Sequence, residues 1–148
     1  MSASPTPVAT PPGTYALVLE APSEMDVQIG RLGPLHVRSG FYIYCGSALG
    51  HGGVGARLAH HRRVAARPHW HIDYLRQGVR LRQVWYSYAE QRREHQWAAI
   101  CRKLPGATVP LARFGASDCR CVTHLLYFSV CPAFDAFRHK VFEMAPEH

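Results

Sequence analysis

Short apolar runs alternate along this chain with clusters of glycine, proline and charge, and the apolar period switches between two residues and about 3.6. Thr14 to Glu20 (Thr-Tyr-Ala-Leu-Val-Leu-Glu) predicts a strand. Asp26 to Leu32 sets Val27, Ile29 and Arg31 against Gln28 and Gly30, which predicts a second strand broken by Gly33-Pro34. Leu35 to Val37 predicts a short third. Phe41-Tyr42-Ile43-Tyr44-Cys45 is aromatic and β-branched and predicts the clearest strand of all. Five glycines between Gly46 and Gly55 make a flexible connection into a helix over Val54 to Val64. A helical stretch follows near His71 to Gln77, and Arg80 to Tyr88 alternates again as a strand. Arg92 to Leu104 predicts a helix with Trp97, Ile100, Cys101 and Leu104 on one face, ended by Pro105-Gly106. Leu111 to Cys121 reads as loop and Leu125 to Val130 as a late buried strand. Ala133 to Met144 reads as a helix with Phe134, Phe137, Val141 and Met144 as its stripe. Neither repeat nor heptad is present. The pattern predicts an α+β fold: a small mixed or antiparallel sheet of roughly three to five strands flanked by helices.

Composition narrows this. A chain of 148 residues, 47% apolar, suits one domain with a real core. Residues 1–12 hold four prolines among Ser, Thr and Ala and predict a disordered tail, leaving 13–148 as the domain. No stretch approaches the ~20 apolar residues of a membrane span, and no charged start precedes an apolar segment as in a signal peptide. The formal net charge is +7 and the pI about 9.5, which suits an anionic partner, nucleic acid first. Fifteen of the seventeen Lys and Arg residues are arginine, the side chain that grips phosphate bidentately. Five cysteines, an odd number, predict a reducing cytoplasm rather than a disulfide framework.

Several residues carry chemistry. Gly13-Thr14-Tyr15 opens one apolar run, Tyr44-Cys45-Gly46 closes another, Arg57 lies on the first helix and Glu94 on the best one. Singly each is ordinary: a turn followed by an aromatic, a packed tyrosine, a solvated arginine, a surface acid beside Arg92 and Arg93. Their succession on strand, strand, helix, strand and helix is not. His61 follows Arg57 by one helical turn on the same face, placing it to move protons or meet phosphate. His71 and Asp73 are two apart and do not share a helical face. From Arg57 to Arg82 run seven arginines and one acid, Asp73, with Arg62, Arg63, Arg67 and Arg76 forming a candidate phosphate track. Cys119-X-Cys121-X-X-His124 offers three ligands for zinc, with His71 or Cys45 as a fourth. The other reading is a tight loop in which Asp118 and His124 bond to backbone or to Asp73.

From Gly13 to about Val130 the chain resembles the GIY-YIG nuclease superfamily. Phe41 to Ala48 (Phe-Tyr-Ile-Tyr-Cys-Gly-Ser-Ala), Arg57-Leu58 and His61 are similar to its second motif and arginine helix. Trp70 to Leu75 and Phe114 to Leu125 resemble its Uri-type endonuclease branch, sometimes joined to endonuclease III-like repair enzymes. The resemblance implies a metal-dependent endonuclease acting on DNA, including branched or damaged DNA, with RNA left open. Tyr15 would then be the general base and Tyr44 its support. Arg57 would neutralise phosphoryl charge, and Glu94 would hold a single Mg²⁺ or Mn²⁺, with Glu90 as the alternative acid. A phenolate is rare at neutral pH, the reference pKa being ~10, so a cation nearby has to favour it.

Two features depart from the family pattern. Thr14 and Cys45 stand where the family motifs carry isoleucine. The 28 residues between Tyr15 and Tyr44 exceed the usual spacer, and an inserted hairpin accounts for them. Two other functions compete: a non-catalytic nucleic-acid-binding module on this scaffold, and a zinc-stabilised interaction domain around Cys119, Cys121 and His124.

Overall fold

The computed structural model of the chain describes residues 9–89, 91–116 and 119–144. Residues 1–8 of the expected tail, Glu90 and Asp118 lie outside the described residues. The elements run β1 (Gly13–Ala21), β2 (Met25–Ile29), β3 (Gly33–Val37), β4 (Gly40–Ala48), α1 (Gly53–Arg62), α2 (His71–Leu75), β5 (Arg80–Tyr88), α3 (Glu94–Arg102), β6 (Leu125–Phe128) and α4 (Phe134–Met144). The fold is α+β. One four-stranded antiparallel sheet has the order β5-β1-β4-β6, and β2 and β3 form a separate hairpin between β1 and β4.

Several expected boundaries move by up to three residues, those of α1, α2 and α3 among them. The strand predicted over Asp26 to Leu32 stops at Ile29, and Gly30–Leu32 turn as one 3₁₀ step because Gly30 takes φ +48°. The late strand stops at Phe128, short of the exposed Val130. The alternation of polar and apolar residues carries no mark of where pairing ends.

β1 is central and covered on both faces, which explains its continuous apolar sequence. Tyr15, Leu17 and Leu19 pack with Tyr42, Tyr44, Leu58, Ile72, Leu75 and Phe114 under α1, α2 and the hairpin. Ala16 and Val18 face the opposite layer of Trp97, Ile100, Cys101, Leu104 and Phe137 from α3, α4 and the turn after α3. The α3 stripe is therefore the one the 3.6-residue period required.

The end of the proline-rich segment has a structural job. Pro11 O accepts from Val54 N at 3.2 Å, and Thr10 Oγ1 accepts from Gly55 N at 2.8 Å. These satisfy N–H groups that the first turn of α1 leaves without helical partners. A side chain at Gly53 would strike the Thr10 and Pro11 carbonyl oxygens, so only glycine lets the two segments meet. Among the described residues no helix is long and apolar enough to cross a membrane.

Candidate active site

Antiparallel register places Tyr15 opposite Gly46 and Leu17 opposite Tyr44, so both tyrosines emerge on the α1 face of the sheet. Gly46 is there because Tyr15 lies across it: a Cβ at Gly46 would sit 2.5 Å from the phenolic oxygen. The two rings are 6.4 Å apart, so the hairpin insertion has not separated them. Phe114, at 6.0 Å, and Gly115 close over Tyr44, with Gly115 at φ +69°. Both phenols are shielded, Tyr15 at 1% and Tyr44 at 9% exposure, so they form the floor of the site rather than an open wall.

α1 supplies the cationic and imidazole groups. His61 Nε2 is 2.7 Å from the Tyr15 hydroxyl, a buried hydrogen bond between elements 46 residues apart. Arg57, one turn earlier, donates from Nη1 to Ser47 O at 3.2 Å and stacks on the Trp70 ring at 4.5 Å. Burial pushes the Tyr15 phenol well above its ordinary range, the neighbouring Arg57 charge opposes this, and Glu94 reinforces it. Tyr44 is raised by burial, by Tyr15 and by Glu94, against Arg57. His61 is pulled down to about 3 by burial and by the charges of His60 and Arg57. Tyr15 and His61 are therefore a neutral pair, and the O–H donates to Nε2 when the imidazole proton sits on Nδ1. His61 Nδ1 has no hydrogen-bond partner among the described residues.

Glu94 is the first residue of α3, where the free N–H groups favour a carboxylate. Thr14 Oγ1, next to Tyr15, accepts from Arg93 N at 3.1 Å and ties that helix end to β1. The Glu94 side chain is 13% exposed, with the Arg92 guanidinium at 3.6 Å and the His95 imidazole at 3.9 Å as neighbours. Both contacts exceed hydrogen-bond length, and among the described residues no hydrogen bond is made to its oxygens.

Other expected residues are structural. Asp73 is buried and accepts from His69 N and Trp70 N at 3.0 Å each, and it pairs with His60 Nε2 at 2.9 Å. Burial alone would raise its pKa, but these bonds outweigh it and hold it low. His71 accepts from Gly115 N at 2.8 Å. Arg76 is a correction to the phosphate track: it is buried, with Nε on His61 O at 3.0 Å and Nη1 on Val79 O. Arg62, Arg63 and Arg67 are exposed.

Two groups of metal-ligating side chains occur among the described residues: His60, His61 and Asp73, and His95, Cys119, Cys121 and His124. The first is occupied by the hydrogen bonds above. In the second, neither expected fourth partner takes part. His71 is bonded to Gly115, and Cys45 lies in the core 3.9 Å from Cys101 Sγ. His95 takes that place. Sequence reasoning missed it because it lies far from Cys119 in the chain, although its position beside Glu94 on a helix's first turn was a usable signal. Trp70, the platform for Arg57, had no signal of its own beyond the Trp70 to Leu75 block.

Beside Arg57, a cavity of about 170 Å³ is lined by Ala48, Gly50, His51, His60 and Trp70 among others. A larger groove of about 840 Å³ runs along β5, past Arg62, Arg80 and Arg82; Tyr15, Tyr44 and Glu94 line neither the cavity nor the groove.

Residues 14–145 match the family model described as a domain of unknown function, DUF123, and the chain belongs to that family. Among curated proteins and among solved structures, none matches the chain.

Proposed function

We propose that this protein is a metal-dependent endonuclease of GIY-YIG type that hydrolyses DNA phosphodiester bonds. The observation that carries the reading is Tyr15 and Tyr44 with rings 6.4 Å apart, His61 of α1 bonded to Tyr15 one turn after Arg57, and the end of α3 that begins with Glu94 tied to β1 through Thr14.

The substrate phosphate docks against Arg57, in the cavity it shares with His51 and Trp70. The guanidinium offsets charge on the non-bridging oxygens. An exposed indole under an arginine also gives a base something to stack on. The water that attacks phosphorus gives its proton to the Tyr15 oxygen while the phenolic proton passes to His61 Nε2. This relay avoids a free phenolate, which the burial of Tyr15 disfavours. The bound phosphodiester adds negative charge beside an imidazole otherwise held neutral, which favours the imidazolium. Tyr44 packs against Tyr15 and fixes its ring.

Glu94 suits a hard divalent cation: a single carboxylate whose oxygens accept no hydrogen bond among the described residues. Mg²⁺ or Mn²⁺ held there would supply Lewis-acid stabilisation of the phosphoryl charge. Phosphate backbone on either side of the scissile bond follows exposed Arg62, Arg63 and Arg67, next to the β5 groove.

The test is incubation with supercoiled, branched and single-stranded DNA, and with RNA, in Mg²⁺ or Mn²⁺ and in EDTA. Metal-dependent cutting of a DNA substrate supports the reading. Salt-sensitive binding with no cutting on any substrate replaces it with the binding-module reading.

A further inference from the structure

We propose that His95, Cys119, Cys121 and His124 form a closed, four-coordinate zinc site, separate from the carboxylate of Glu94. The ligand atoms of these residues all lie within 4.8 Å of one another. A tetrahedral zinc ion bound by two sulfurs and two nitrogens needs ligand–ligand edges of about 3.3–3.8 Å. His95 Nδ1 is 3.0 Å from Cys121 Sγ, and Cys119 Sγ is 3.5 Å from His124 Nε2. Both edges approach those of a filled site, so a modest side-chain adjustment closes the tetrahedron. Two thiolates and two imidazoles are a donor set of structural zinc, not of magnesium.

The surrounding backbone holds the ligands in place. Cys121 N donates to Cys119 Sγ at 3.4 Å, a bond that stabilises thiolate sulfur. His124 N donates to Phe114 O at 2.8 Å, and His124 O accepts from Cys45 N at 3.0 Å, so this ligand is fixed to the edge of β4. His95 comes from the first turn of α3. The ion would thus clamp the loop before β6 to the N-terminus of α3.

That clamp gives the site a role. His95 turns Nδ1 to the sulfur and Nε2 to Glu94 Oε1, 3.9 Å away. At 3.9 Å this is a neighbouring contact and not a hydrogen bond. Zinc would therefore fix an imidazole beside Glu94 without being bound by that carboxylate. This last step rests on the nuclease reading; the zinc site itself does not.

The experiment is metal analysis of the full-length chain purified without chelator, followed by cobalt substitution. One zinc per chain is expected, lost in His95→Gln and Cys121→Ser and retained in Cys131→Ser and Glu94→Gln. Cobalt should give the intense d–d absorption of a tetrahedral site together with sulfur-to-cobalt charge transfer. If the ligand variants fail to fold, the cobalt spectrum of the unmodified chain decides alone. No zinc and no tetrahedral cobalt spectrum overturns the proposal, as does zinc that survives in folded His95→Gln. Zinc present without DNA cutting leaves this site standing and removes the nuclease reading; cutting without zinc does the reverse.

Discussion

At the scale of single residues, contact geometry separates side chains that hold the fold from those free to act. Gly46 is the sharpest case, since its missing side chain is the space Tyr15 occupies. Gly46→Ala should cost about 1–3 kcal/mol in denaturant unfolding, as overpacking does, and should displace the Tyr15–His61 pair. Unchanged stability would mean that Tyr15 can lie elsewhere at no cost. Arg76 and Arg62 look alike in sequence and differ in place. Arg76→Ala leaves two buried carbonyls without their donor and should destabilise by about 2–4 kcal/mol. An Arg76→Ala chain as stable as wild type, but weaker on DNA, would restore it to the phosphate track. Tyr15, Tyr44 and Arg57 are singled out in the sequence by the resemblance of their motifs to the GIY-YIG pattern, and His61 by its helical phase with Arg57. The bond between Tyr15 and His61 is not legible there, because it depends on how α1 lies across the sheet.

At the scale of elements, the strands and helices follow from periodicity, and the site follows from how their ends meet. β1, β4, β5 and α3 were legible because their apolar patterns are long and regular. The hairpin of β2 and β3 was legible as an insertion from the spacing between the tyrosines. What stayed hidden were pairings between distant loops: Thr10 and Pro11 on the first turn of α1, and His95 with the loop before β6. Such pairings depend on the relative placement of elements, which no local period encodes. The basic link from α1 to α2 makes a prediction of its own. Replacing Arg62, Arg63 and Arg67 one at a time by alanine should leave stability within about 0.5 kcal/mol, since they are exposed. Each of these variants that removes a charge from the phosphate track should also flatten the slope of log affinity against log salt by about 1. Slopes that match wild type would place the nucleic acid on another face.

At the scale of the whole molecule, buried neutral histidine ties stability to pH. The folded pKa of His61, about 3, lies below its ordinary value of 6.5, so between the two the unfolded chain binds a proton that the folded chain refuses. Stability from this group is complete above about pH 6.5 and is lost as pH falls toward 3. His71 shifts in the same direction, and Asp73, held low, adds a loss at still lower pH. Chemical unfolding should show about 2–3 kcal/mol less stability at pH 4.5 than at pH 7.5, most of it absent in His61→Gln. A flat profile would mean that His61 is hydrated or charged in the folded chain. The net charge of +7 and the basic groove along β5 belong to this scale as well; on the proposed nuclease reading they would supply the field that gathers a polyanion before the local contacts form.

The measurement that bears most directly on the central reading is single-turnover cleavage of end-labelled branched DNA, comparing the unmodified chain with Tyr15→Phe and Glu94→Ala. Metal-dependent strand cutting should fall at least about 100-fold in both variants while DNA binding stays within about twofold. Cutting that persists in either folded variant, or that ignores EDTA, would contradict a nuclease centred on Tyr15 and Glu94.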